Sequence, residues 1–131
     1  METLSVTTRS RTEFVNVTSE VDAAVARSGV KSGACLVSVP HTTAGVTVNE
    51  NADPDVTRDI LKEMNKVIPF EDGYAHDEGN SAAHIKSSLF GSSLTLPVEE
   101  GRLVLGVWQG VFFCEFDGPR QRKLLVQVIG V

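Results

Sequence analysis

The chain has three histidines, and all of them lie in two short segments of small, polar or charged residues. His41 lies within residues 40–45, whereas His76 and His84 enclose a polar stretch of their own. Neutral imidazole is the commonest metal ligand among side chains and a common general base near neutral pH. This placement predicts one site that uses all three histidines.

A metal is one use for such a set. A catalytic zinc has three protein ligands and an open position for water, which three histidines would match. The spacing is not a known zinc pattern, because a loop-to-helix junction separates His76 from His84. Imidazole ligands suit zinc better than magnesium, which is the second choice of metal. The alternative is that one or two histidines bond only to the backbone, with no metal.

Two glutamates are candidates for a carboxylate that orients a histidine or exchanges a proton. Glu50 directly follows a predicted strand, and Glu115 lies with Asp117 on one face of a late strand, since side chains alternate along strands. A carboxylate that faces an apolar core is costly unless it is paired. The alternative role for Glu115 and Asp117 is therefore structural, in an ion pair with Arg120 or Arg122.

Several polar side chains suit a small phosphorylated ligand. Lys86 and Arg120 are cationic, and the hydroxyl of Ser88 with those of neighbouring serines could surround a phosphate beside Arg120. The alternative is that these hydroxyls are only solvated or cap a helix. Gln109 could reach the site as an amide, whereas the adjacent Trp108 is predicted to fill the core.

The composition is that of one globular domain over residues 1–131, with 41% hydrophobic and 22% charged residues. The net charge is −5 and the only cationic cluster is small, so nucleic acid is not an expected partner. No apolar run or signal-peptide pattern is visible, so no membrane partner is expected and the cytoplasm is the expected compartment. Cys35 and Cys114 are predicted to be buried free thiols.

Short strands alternate with three predicted helices. The helices are predicted over residues 19–28, 54–66 and 81–89, capped by Ser19 with Asp22, by Asp53 and by Asn80. The strands are predicted over residues 3–9, 33–39, 45–49, 92–98, 102–107, 110–117 and 121–130. This pattern predicts an α+β fold with a largely antiparallel, β-sandwich-like sheet core, or alternatively an open barrel, and about three helices.

These elements place the three histidines differently. His41 is expected at the end of a strand and His76 in a loop. His84 is expected on a polar stripe of the third helix, between Asn80 and Ser88. Such a stripe beside a buried face usually lines a pocket or a subunit contact. Because the three histidines lie on three separate elements, those elements must converge to form one site.

Four blocks of this sequence resemble the YjbQ-like proteins, in the same order and over essentially the whole chain. The blocks are residues 40–54 (PHTTAGVTVNENADP), residues 76–89 (HDEGNSAAHIKSSL), residues 106–109 (GVWQ) and residues 115–120 (EFDGPR). The resemblance implies a compact α+β fold with a sandwich-like sheet core, and a homotrimer. It also implies a metal or anion site built from the motif histidines near a subunit interface.

Members of this family are commonly labelled secondary thiamine-phosphate synthases. The resemblance therefore implies a weak, secondary transferase activity that joins hydroxymethylpyrimidine diphosphate to thiazole phosphate and releases pyrophosphate. The alternatives are a non-catalytic trimer that binds a metal or a phosphorylated metabolite, and a metal-dependent hydrolase. Under the enzyme hypothesis the candidate catalytic residues are His41, His84, Glu50 and Glu115, the substrate-binding residues are Asn80, Lys86, Ser88, Gln109 and Arg120, and the ligands of a divalent metal are His41, His76 and His84.

Overall fold

The computed structural model describes residues 1–131 and contains eight strands and three helices. In chain order they are β1 (Glu2–Thr7), β2 (Glu13–Asn16), α1 (Thr18–Ser28), β3 (Gly33–Ser38), β4 (Ala44–Glu50), α2 (Pro54–Val67), α3 (Ser81–Phe90), β5 (Ser93–Glu99), β6 (Arg102–Leu103), β7 (Gln109–Glu115) and β8 (Gln121–Gly130). The predicted α+β class with three helices is confirmed.

The strands form two antiparallel sheets. The larger sheet has the order β1-β8-β3-β5-β6, and the smaller sheet has the order β2-β7-β4. Val37 and Leu124 of the larger sheet share one core cluster with Val46 and Phe113 of the smaller sheet. The predicted sandwich-like sheet core is therefore confirmed, because side chains from both sheets meet in a common interior.

The three helices cover this sandwich to different depths. Val21 and Val25 of α1 are fully buried in the main core, whereas no residue of α2 is fully buried. Helix α3 packs beside β4, and its end comes so close to Gly45 that a Cβ there would lie 2.8 Å from the carbonyl oxygen of Gly91. Only glycine permits this approach, which brings α3 next to the segment that contains His41.

None of the three helices combines the length and apolarity of a membrane span.

Helix termini confirm some predicted caps and correct others. The Asp53 side chain accepts a hydrogen bond from the backbone N–H of Asp55, as an N-cap acid should. The box predicted at Ser19 is wrong, because α1 starts at Thr18 and Asp22 instead accepts from Arg102. Asn80 precedes α3 but makes no side-chain cap: its Nδ2 donates to Asp117 Oδ2, whereas its buried Oδ1, the atom that would accept in a cap, has no hydrogen-bond partner.

The largest differences from the predicted strands lie in two places. Strand β2 was not predicted because it has only four residues. The strand predicted over residues 102–107 ends at Leu103, and the following loop turns where Gly106 N donates to the side chain of Gln109. This loop leaves Trp108 63% exposed, so the core position predicted for Trp108 is wrong.

Candidate functional site

Three connections cross from one sheet to the other and meet around Glu115. They are residues 8–12 between β1 and β2, residues 39–43 between β3 and β4, and residues 116–120 between β7 and β8. The connections contact one another through the backbone, because Thr43 O accepts from Phe116 N at 3.2 Å and Arg11 O accepts from Gly118 N at 2.9 Å. The region where the three connections meet is called the sandwich corner below. His41 lies in the second connection, so the sandwich corner fixes its position.

Glu115 is fully buried and forms an ion pair with buried Arg122. Arg122 Nε donates to Glu115 Oε1 at 2.8 Å, and Arg122 Nη2 donates to Glu115 Oε2 and to Thr43 Oγ1. Glu115 also accepts from Thr8 Oγ1 at 2.7 Å and from the backbone N–H of Asp117 at 3.0 Å. A residue of each connection thus hydrogen-bonds either to Glu115 or to Arg122.

These contacts determine the charge of Glu115. Burial on its own raises the pKa of Glu115, but hydrogen bonds from Arg122, Thr8 and the backbone of Asp117 outweigh burial and hold the pKa below its ordinary value. The carboxylate stays ionised and its oxygens are occupied. This geometry favours the structural role over proton exchange, and of the two arginines considered it is Arg122 that pairs with Glu115.

His41 is held by the same region. Lys123 N donates to His41 Nε2 at 2.9 Å. Lys123 directly follows Arg122, whose side chain hydrogen-bonds to Thr43. Burial lowers the pKa of His41, and together with the guanidinium groups of Arg122 and Arg120 it outweighs the Glu115 carboxylate, which raises the pKa. His41 therefore stays neutral at pH 7, and its Nε2 lone pair is already occupied.

His76 and His84 come together as the histidine-pair cleft. Their ring centroids lie 5.5 Å apart in an edge-to-face arrangement. The open cleft has a volume of about 510 Å³ and is lined by Tyr74, Ala75, His76, Ser81, His84 and Ile85. The loop before α3 therefore folds back onto the helix, as a shared role for the two histidines requires.

A second depression, the polar groove, lies on the other side of His84. Its volume is about 360 Å³, and it is lined by Thr42, His84, Ser87, Ser88, Gly91 and Ser92. No hydrophobic side chain lines the polar groove. His84 lines both the cleft and the groove, and Thr42, the residue after His41, also lines the groove. The structure therefore brings the two histidine-containing segments to one surface.

The groove serines are partly committed to the protein. Ser87 Oγ donates to the carbonyl oxygen of Ala44 at 2.7 Å, and Ser88 Oγ donates to that of His84 at 2.9 Å. A hydroxyl has one proton, so these oxygens can still accept hydrogen bonds but have no second proton to donate. Ser88 therefore lines the groove as an acceptor unless its hydroxyl rotates toward a ligand.

Arg120 is linked to α3 through two side chains. Arg120 Nη2 lies 3.3 Å from Asp117 Oδ2, which also accepts from Asn80 Nδ2 at 2.9 Å. Asn80 O in turn accepts from His84 N at the start of the helix. The Arg120 side chain is 49% exposed, so this chain of contacts presents an accessible guanidinium beside the segment that contains His84.

Lys86 lies away from the groove surface. It is fully buried, and its Nζ donates to Asn65 Oδ1 at 2.7 Å and lies 4.3 Å from the centroid of the Phe70 ring. Burial lowers the pKa of Lys86, and the charge of Arg11 lowers it further. Lys86 therefore fastens α2 and the following loop to α3, and the structure does not bring it to a phosphate beside Arg120.

Glu50 and Gln109 pair with each other at the far end of β4 and β7. Gln109 and Glu115 are six positions apart along β7, which corresponds to about 20 Å of extended strand. Within one chain these two residues are therefore remote from His41 and Arg120. They could reach such a site only across a contact between chains.

The predicted three-histidine metal site is not assembled within the chain. No three His, Cys, Asp or Glu side chains lie close enough together to hold a metal ion. The separation of His76 and His84 does suit two ligands, because imidazoles on one tetrahedral zinc have centroids about 5 Å apart when Zn–N is about 2.0–2.1 Å. The pair fits a metal better than the set of three does.

Sequence reasoning missed two residues at the sandwich corner. Thr8 and Thr43 both hydrogen-bond to the buried ion pair and are themselves buried. Threonines are common in strand-rich sequence, and each of these two follows another threonine, so no local pattern sets Thr8 or Thr43 apart. Cys35 and Cys114 are buried free thiols as predicted, and burial raises the pKa of Cys35 to about 11.

Residues 2–131 match the family model described as UPF0047 protein YjbQ-like. UPF0047 protein YugU of Bacillus subtilis is 50% identical over 131 residues, which cover 99% of each chain. UPF0047 protein MJ1081 of Methanocaldococcus jannaschii is 50% identical over 125 residues, which cover 95% of this chain and 91% of the relative. The names of these relatives state a family but no reaction.

Solved structures share the fold. The crystal structure of a conserved YjbQ/UPF0047 protein from Clostridium acetobutylicum is 53% identical, with a TM-score of 0.97, and covers 98% of this chain and 100% of that chain. A hypothetical protein from Aeropyrum pernix is 36% identical with a TM-score of 0.93, and each chain is fully covered. With the family model and full-length relatives in agreement, the protein belongs to the UPF0047 family of YjbQ-like proteins.

Proposed function

We propose that the protein binds a small phosphorylated metabolite across the polar groove and the histidine-pair cleft. The observation that carries this proposal is the position of His84, which forms part of both walls. One side offers Tyr74 and Ile85 for a ring, and the other side offers only polar groups. Each volume lies in the range of about 300–1,000 Å³ that is typical of small-ligand sites.

The proposed roles follow from exposure and available atoms. Arg120 supplies positive charge for phosphate oxygens, because its guanidinium is half exposed while Arg122 is buried. The ring of His84 makes no hydrogen bond within the chain, so it can donate to a phosphate or exchange a proton with the ligand. Asn80 positions Arg120 through Asp117.

The reaction proposed for this site is thiamine-phosphate synthesis, the weak activity that the family resemblance implies. A ring on one side of His84 and a diphosphate on the other would match a hydroxymethylpyrimidine diphosphate substrate in outline. Release of pyrophosphate requires stabilisation of negative charge on its oxygens, which Arg120 can supply. Two other cationic side chains have partners within the protein, since Lys86 hydrogen-bonds to Asn65 and Arg122 forms an ion pair with Glu115.

A divalent metal, with zinc ahead of magnesium, is proposed as a cofactor of the same site. Its support is the His76–His84 pair, whose separation suits two imidazole ligands. A bound divalent ion would add charge stabilisation for a pyrophosphate leaving group. Elemental analysis should then give about one metal per chain in the protein as purified, and a value near zero in a His76→Ala, His84→Ala double variant.

A homotrimer in the cytoplasm completes the proposal. Its support is the exposed loop after β6, in which Val107 is 88% and Trp108 is 63% exposed. Large apolar side chains that are exposed together often mark a contact between proteins. Light scattering on the purified protein should give three times the chain mass, and Trp108→Ser should lower that mass.

The binding claim is tested by calorimetry with pyrophosphate, followed by an assay with both thiamine precursors. His84→Ala should weaken pyrophosphate binding at least about tenfold, since a hydrogen bond to a charged group is lost. Ser93→Ala is the matched control, because Ser93 is exposed beside the groove but does not line it. Equal affinity in the two variants would contradict the site, and tight binding without product would favour the non-catalytic alternative.

A further inference from the structure

The ring of His41 is already fixed by a backbone donor. Lys123 N donates to His41 Nε2 at 2.9 Å. An amide N–H needs a lone pair as its acceptor, so Nε2 has no proton in this contact. A neutral imidazole holds one proton on its two nitrogens, so in His41 that proton lies on Nδ1.

The charges that face His41 oppose a second proton. Arg120 comes from the β7–β8 connection and Arg122 from β8, and Glu115 of β7 is the one carboxylate in the group. Glu115 and Arg122 form an ion pair, so their opposite effects on His41 largely offset each other, and burial is the main cause of the lowered pKa of His41. An imidazolium would also turn an Nε2–H toward the Lys123 N–H, and the existing hydrogen bond would be lost.

Strand β8 fixes both the tautomer and the position of the His41 segment. The backbone of Lys123 holds the His41 ring, and the side chain of Arg122 holds both the carbonyl and the hydroxyl of Thr43. Between these two anchors lies Thr42, which lines the polar groove. His41 is partly exposed, so the ring nitrogen that remains available to a ligand is Nδ1, and it carries a proton.

We propose that His41 is a neutral hydrogen-bond donor, through Nδ1–H, to an oxygen of an anionic ligand in the polar groove. This inference rests on the proposed binding of a phosphorylated metabolite. It assigns His41 neither the base nor the metal-ligand role, because Nδ1 keeps its proton and the lone pair of Nε2 faces the Lys123 amide. The ligand atom that His41 selects must be a hydrogen-bond acceptor, as a phosphate oxygen is.

The tautomer is measured in the ligand-free protein. Long-range proton–nitrogen NMR spectra of uniformly ¹⁵N-labelled protein at neutral pH distinguish the two neutral tautomers and the imidazolium. Only three histidines are present, so the His41→Asn spectrum assigns the His41 signals by their disappearance. The expected pattern for His41 has a protonated Nδ1 and an unprotonated Nε2. A protonated Nε2 would overturn the inference.

Two variants test the donor role in binding. Asparagine places an amide near the position of Nδ1, whereas glutamine reaches the position of Nε2. His41→Gln should therefore weaken pyrophosphate binding about tenfold more than His41→Asn does. Equal losses in the two variants would overturn the donor role.

The two measurements separate the inference from the proposed function. If the wild-type protein binds no pyrophosphate, the proposed function fails, whereas the NMR result still decides the tautomer. If pyrophosphate binds but the His41 ring has a protonated Nε2, the site stands and the donor role fails. Each result thus bears on a different claim.

Discussion

The buried pair Glu115–Arg122 and the histidine pair His76–His84 are two polar groups with opposite surroundings. Both carboxylate oxygens of Glu115 accept hydrogen bonds, and neither residue of that pair is accessible. The histidine rings contact each other, line an open cleft and make no hydrogen bond within the chain. A satisfied, buried group serves the fold, and an accessible group with unused atoms is available to a ligand.

The comparison is tested most strongly by removal of one member of the buried pair. Arg122→Met should lower the free energy of unfolding by about 3–5 kcal/mol, because Glu115 would remain as a buried, unpaired charge. Arg120→Met is the matched control and should cost less than about 1 kcal/mol, since Arg120 is half exposed. Urea denaturation measures both values, and similar losses in the two variants would contradict the assignment.

Acid should weaken the buried pair next. The folded-state pKa of Glu115 lies below its ordinary value of 4.5, so the stabilisation is fully present above that pH. It is lost as the pH falls below 4.5 and through the folded-state value, because the unfolded chain takes up the proton first. Thermal melts across this acid range should show a shallower pH dependence in Glu115→Gln than in the wild type. An unchanged slope would mean that Glu115 does not contribute in this way.

Lys86 provides an intermediate case, since it is a buried charge without a carboxylate partner. Lys86→Met should lower the free energy of unfolding by at most about 1 kcal/mol, because the lost bond to Asn65 is offset by relief of the desolvation of the ammonium. Methionine keeps an unbranched side chain near Phe70. A loss as large as that of Arg122→Met would show that burial alone decides the cost.

The histidine pair should show the smallest effect on stability. His76→Ala and His84→Ala should each change the free energy of unfolding by no more than about 0.5 kcal/mol, as expected for accessible side chains without fixed partners. Denaturation of the two variants measures this directly. A destabilisation above about 2 kcal/mol would place the pair with the structural group instead.

The sequence predicted most elements because their signals are local. Helix α2 was predicted over residues 54–66 and spans Pro54–Val67, since Asp53 and Pro54 mark its start. Strand β2 was missed because four residues leave no periodicity to detect. Trp108 was misplaced because glycines on either side suggested close packing. Gly110 does lie in such a place, since a Cβ there would be 2.7 Å from the Asn51 side chain, but Trp108 itself lies in an exposed loop.

The site was less predictable because its contacts are long-range. The sequence left open which arginine pairs with Glu115, and the choice depends on the register that sets Arg122 beside the sandwich corner. Spacing also placed Lys86 near Ser88, but the helix turns the lysine toward Asn65. No local pattern shows that the backbone of Lys123 occupies Nε2 of His41.

The most direct test of the central claim is a crystal structure of the protein grown with pyrophosphate. The account predicts pyrophosphate in the polar groove, in contact with His84 and within reach of Arg120 and the Nδ1–H of His41. Pyrophosphate bound only elsewhere on the protein, with the polar groove still occupied by water at saturating concentration, would contradict the account.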